Sequence, residues 1–96
     1  MSVITQEIVE EFKKRMHLDD DEDGNLLRIL KASHDDLTRI CGQYDIADEV
    51  FKELIFERSR YVYNDALEYF YSNFLTQITN LSLSKALESS EGDSVE

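Results

Sequence analysis

Apolar residues recur along most of this chain at three- and four-residue spacing, the period of an amphipathic helix. In the first such stretch Ile8, Val9, Phe12 and Met16 share one side, and Thr5 stands in front as an N-cap with Gln6 and Glu7 in the first turn. The pattern predicts a helix over residues 5–16, with Glu10–Lys14 and Glu11–Arg15 as i,i+4 pairs on the wet side. A second helix is expected from about Glu22 to Cys41. Its stripe is Leu26, Leu27, Leu30, Leu37, Ile40 and Cys41, with Ala32 and Ser33 leaving room between, and Gly42 is placed to end it in a left-handed conformation. Asp45 or Asp48 can cap a third helix, whose stripe reads Val50, Phe51, Leu54, Ile55, Val62, Ala66, Tyr69, Phe70 and Phe74. That pattern persists from about Ile46 to Ile78, so a kink is expected, at the weak stretches Arg58-Ser59 or Tyr71-Ser72-Asn73.

Asn80-Leu-Ser-Leu-Ser fits either a short strand or a short helix, and from Glu88 the residues ESSEGDSVE read as a disordered acidic tail. The expected fold is all-α: a small bundle of three to four helices over residues 1–87, with a long, kinked third helix and a tail over 88–96.

Composition narrows the class. Ninety-six residues suit one small domain with one modest core, burying ~60–65% of the unfolded surface. Proline is absent and glycine occurs three times, which permits long helices. Twenty-one acids against ten bases give a net charge of −11, which disfavours phosphate contacts and suits a basic partner or a surface that DNA does not stick to. Cys41 is the one cysteine, so no internal disulfide is expected. No secretory signal pattern or membrane-length apolar run is read, and a soluble protein is expected.

The candidate chemistry centres on Asp19, Asp20, Asp21, Glu22 and Asp23, followed by Gly24. Asp19, Asp21, Asp23 and Gly24 match the opening of an EF-hand calcium loop, but its twelfth position, which must supply a bidentate Glu, is Leu30. The run reads better as acids before a helix start, where they favour its positive end and where Asp19 or Asp20 can cap it. Ser33-His34-Asp35 are sequence neighbours, which a helix points about 100° apart, so no triad follows. His17, His34 and Cys41 lack zinc spacing; His17 reads as a helix-end cation. No cofactor, metal or catalytic function is expected. The aromatics are more informative: Tyr61, Tyr63 and Tyr71 do not fit on the stripe of Val62, Ala66 and Phe70. They lie on a wet surface or against an oligomer or protein partner, where tyrosine is enriched.

The assembled parts resemble the head–tail connector (adaptor, or head-completion) proteins of tailed bacteriophages. The likeness rests on VITQEIVEEFKKRMHLDDDEDGNLLRILKASHDDLTRICG, in which Met16-His17-Leu18-Asp19 ends a short helix, Asp20–Asp23 follow, and Leu26–Leu30 lead a helix to Cys41-Gly42. ELIFERSRYVYNDALEYFYSNFL resembles the family's next helix, so the likeness covers roughly residues 3–80. Many members carry a longer, turn-rich C-terminal part, where this chain has an acidic segment.

The resemblance implies a structural subunit of the virion neck. It would form a homo-oligomeric ring below the portal protein, extend the DNA channel without binding DNA specifically, and meet a downstream neck or tail-completion protein. Assembly would take place in the host cytoplasm, with no membrane involved. On that reading the acid run and Tyr61, Tyr63 and Tyr71 are candidate assembly surfaces. Two other classes compete with it. One is a small acidic helical module that regulates a basic partner; the other is a calcium-responsive helical protein.

Overall fold

The computed structural model describes residues 3–20, 22 and 24–93, with side chains to Glu88. It is all-helical. α1 (Gln6–Met16) and α2 (Asn25–Cys41) are followed by α3 (Glu49–Tyr63), a short 3-10 turn (Leu67–Tyr69), α4 (Phe70–Asn73) and α5 (Leu75–Asp93). α2 is the central element, lying against α1, α3 and α5.

Two of the expected caps close their helices, α1 and α3. The Thr5 hydroxyl accepts the Ile8 N–H at 3.3 Å, and the Asp48 carboxylate accepts that of Phe51 at 3.0 Å. These satisfy donors that a helix start otherwise leaves unpaired. α1 ends on His17, left-handed at φ 60, with the Leu18 N–H reaching the Lys13 carbonyl at 2.9 Å. That is a Schellman closure, and it turns Leu18 back to pack on the core. Gly42 has the expected positive φ (101) with an extended ψ (174).

The single long helix over 46–78 is corrected. α3 stops at Tyr63, and the break falls at neither of the two expected weak stretches but at Asn64-Asp65-Ala66. Asp65 takes φ 60; its N–H reaches the Val62 carbonyl at 3.0 Å, and the Ala66 N–H reaches that of Tyr61 at 2.8 Å. This again is a Schellman closure, and aspartate tolerates the left-handed position better than most residues. A second, smaller break at Phe74 follows Tyr71-Ser72-Asn73, one of the expected stretches. Residues 80–84 are helical, settling their ambiguity, and α5 carries the backbone helix on to Asp93, past the expected tail boundary at Glu88. The rest of that tail, residues 94–96, lies outside the described residues.

The core is one cluster. Phe12, Leu26, Leu30, Leu37, Phe51, Ile55 and Phe70 are fully enclosed, with Val9, Leu54 and Phe56 beside them. Each such side chain contributes roughly 1.5–3 kcal/mol by leaving water. Three stripe residues depart from expectation: Ile40, Val50 and Tyr69 are exposed. The expected i,i+4 pairs on α1 are also replaced. Glu11 accepts from Lys52 at 3.0 Å, and Arg15 pairs with Glu53 and, at 3.5 Å, with Glu57. α1 thus turns Glu11 and Arg15 to α3, while Glu10 pairs with Lys13 within α1 at 3.3 Å. α5 is fastened to the middle of the fold by the Tyr44 hydroxyl on the Leu81 carbonyl (2.7 Å) and the Ser82 hydroxyl on the Ile40 carbonyl (3.1 Å). Among the described residues no helix is long and apolar enough to cross a membrane.

Candidate functional site

The acid-rich segment joins α1 to α2, and its described residues form a folded turn. Asp19 and Asp20 are exposed. The Asp20 carboxylate accepts the Glu22 N–H at 2.9 Å, an Asx turn. Glu22 is left-handed (φ 53), and Gly24, the residue before α2, has φ 85. α2 starts at Asn25, three residues later than expected, and neither Asp19 nor Asp20 caps it. Gly24 supplies no side-chain cap, and the Asn25 N–H is taken by the Glu22 carbonyl at 3.0 Å.

This geometry bears on the calcium-loop resemblance. Positions 7 to 12 of such a loop, counted from Asp19, are the first turn and a half of α2, and Leu30 at the closing position is fully enclosed in the core. The closing ligand is therefore replaced by a packing residue that points away from the acids. Asp21 and Asp23 lie outside the described residues; among the described ones no three metal-ligating side chains converge.

Among the described acids of the run, Glu22 is the one whose carboxylate reaches another helix. Its carboxylate accepts the Tyr63 phenol at 2.5 Å through one oxygen and the Asn25 amide at 3.2 Å through the other. Tyr63 ends α3, so this bond ties the acidic turn to the far end of another helix. The hydrogen bond to a carboxylate pushes the Tyr63 phenol pKa up, since ionising it would put two negative oxygens in contact.

Tyr71 and Tyr61 lie in other surroundings, so the three tyrosines form no common surface. The Tyr71 hydroxyl donates to Asp36 and accepts from Arg58 Nε at 3.0 Å, and burial together with the Asp36 bond raises its pKa. Arg58 continues the network. It lies 3.3 Å from Asp36 and donates to Ser33 Oγ at 3.0 Å, which also accepts the Ser59 hydroxyl at 2.9 Å. Ser33 and Ser59 are fully buried. Tyr61 packs edge-on against Phe70 and Phe74 at 5.7 and 5.8 Å, with its hydroxyl accepting from Asn73 at 3.0 Å. All three rings are half-buried and bonded within the chain; the exposed tyrosine is Tyr69.

Ser33, His34 and Asp35 do not act together. Ser33 turns inward to Ser59 and Arg58, while His34 lies edge-on to Phe51 at 5.9 Å with Nδ1 3.4 Å from the exposed Asp35 carboxylate. Cys41 is buried, which raises its thiol pKa and opposes thiolate chemistry.

Sequence reasoning overlooked two further features. One is the Arg58–Asp36–Tyr71 network, whose partners are 13 to 35 positions apart. The other is largely apolar: an open groove of about 420 Å3 lined by Val50, Leu54 and Phe74, together with Glu49, Lys52, Glu53 and Gln77.

Set against known proteins, the chain matches no family model, no curated protein and no solved structure.

Proposed function

We propose that this protein is a structural, non-enzymatic subunit of a phage neck. It forms a ring adaptor between the portal and the downstream head–tail joining protein and extends the DNA channel. The supporting sequence feature is the likeness of residues 3–80 to head–tail connectors. The observation that carries the reading is the bond between Tyr63 and Glu22 (2.5 Å). It holds the acidic turn on the helical body, so that Asp19 and Asp20 are presented at a set place for a neighbour. A ring of subunits at −11 each would also repel phosphates and let DNA pass without specific binding. The second reading, an acidic module for a basic partner, uses the same presented carboxylates.

Sedimentation with and without a portal protein tests the assignment. A ring that forms only in the portal's presence supports it. The isolated chain is then a monomer or weak oligomer. Asp19→Asn with Asp20→Asn keeps the Asx turn, which asparagine also makes, and removes two charges. The doubly substituted protein is expected to stay folded and lose its place in the ring. Tight binding to a soluble basic protein with no response to the portal favours the second reading instead.

A further inference from the structure

Among the described residues, the surface carries two apolar patches that no other residue covers. The first is on α5. This helix faces the core through Ile78 and Leu81, and Lys85 lies on the same side with its ammonium over the Tyr44 ring at 4.3 Å. At about 100° per residue, Leu83 and Leu87 fall on the opposite side, one turn apart. They are 56% and 61% exposed. From Leu75 to Leu87 the sole charged residue is Lys85, which pairs with Glu88 at 3.3 Å, so this stretch of a strongly acidic chain carries no acid before Glu88. The second patch is the groove of Val50, Leu54 and Phe74, in which Val50 is 53% exposed.

We propose that the groove of one copy receives the Leu83–Leu87 face of α5 from a second copy. An apolar i,i+4 pair on a helix is what a shallow apolar groove accommodates. The two surfaces also suit each other in charge: a chain at −11 repels its copies, and between Leu75 and Leu87 α5 brings an acid-free stretch to a groove lined by Glu49 and Glu53 as well as Lys52. The same molecule cannot fill its own groove. Gln77 of α5 already lines it, and at 1.5 Å per residue Leu83 and Leu87 lie roughly 9 and 15 Å farther along that helix.

Because the two patches differ, the contact is heterologous: each copy offers a groove and a separate α5 face, and addition continues until the rotation closes a ring. Three or four apolar side chains fall well short of the ~1,200 Å² of a stable interface. The contact is therefore weak alone and accumulates when copies are held on a platform. It is the copy-to-copy contact for the ring reading above and rests on that reading.

Two variants test it: Val50→Glu to block the groove, and Leu83→Glu with Leu87→Glu to block the helix face. All three positions are exposed, so circular dichroism should show both proteins folded. Sedimentation velocity up to about millimolar concentration should show wild-type self-association, weakened roughly tenfold or more in each variant alone. Mixed one to one, the variants should form a dimer and nothing larger, since one intact groove meets one intact α5. The proposal is overturned if the mixture stays monomeric, if Val50→Glu still self-associates through paired α5 helices, or if the wild type never self-associates. The portal separates the two levels of argument. Wild-type self-association by this contact with no response to the portal sinks the ring reading. A portal-bound ring formed equally well by both variants sinks this contact alone.

Discussion

Tyr63, in the last turn of α3, donates its phenol to Glu22, 41 positions earlier, at 2.5 Å. The bond joins the acidic turn to a helix it does not otherwise precede or follow. Tyr63→Phe is therefore expected to release the turn while leaving the ring packed. Amide exchange at residues 19–24 should accelerate, with little change at Leu30 or Ile55, because local opening has its own free energy. Native-state hydrogen exchange checks this; unchanged protection in the turn would mean that backbone bonds alone hold it.

The same bond sets an alkaline limit. The phenols of Tyr63 and Tyr71 are raised, Tyr63 chiefly by the Glu22 bond and Tyr71 chiefly by burial with Asp36 next, and Tyr44 is raised by burial. A folded pKa above the unfolded value of about 10 gives stability that is complete below that pH and is lost as pH rises through the folded values. The thermal midpoint should fall above about pH 10, and tyrosinate absorbance should develop at higher pH in the native than in the urea-unfolded protein. Coincident titration curves would contradict the hydrogen-bond assignments.

Arg58 is expected to be the costliest polar residue to remove. Arg58→Ala leaves Asp36, Tyr71 and Ser33 without their shared donor at side chains 11–14% exposed for the ion pair. The loss should be about 2–3 kcal/mol. A double-mutant cycle with Tyr71→Phe should give a coupling of about 0.5–3 kcal/mol by urea denaturation; additive losses would show the two act separately.

Gly42 is constrained twice. Its φ of 101 with ψ 174 is a region open essentially to glycine, and an added Cβ would sit 2.5 Å from Lys85 Cγ. Gly42→Ala should lower stability by about 1–3 kcal/mol and displace Lys85 from the Tyr44 ring. Calorimetry measures the first effect and Tyr44 ring proton shifts the second.

Much of the fold could be read along the chain because local rules and burial agree there. Thr5 and Asp48 cap where their hydroxyl or carboxylate is followed by an apolar-periodic run, and Leu26, Leu30, Leu37, Phe51, Leu54, Ile55 and Phe70 are core because spacing put them on one stripe. The break after Tyr63 was missed because Val62, Ala66 and Phe70 keep helical spacing across it; Asn64-Asp65 was the signal passed over.

The acidic run shows the other limit. Five adjacent acids are visible in sequence, but only the arrival of α3 distinguishes Glu22, which accepts a phenol, from Asp19, which stays in water. Likewise Tyr61, Tyr63 and Tyr71 looked like surplus surface until α2 brought Asp36 to Tyr71 and α4 brought Phe70 to Tyr61. Periodicity reports which side of a helix is apolar, because that depends on residues three and four apart. Which charge meets which hydroxyl depends on how helices cross, and contacts such as Asp36–Tyr71 and Glu22–Tyr63, 35 and 41 positions apart, leave no local trace.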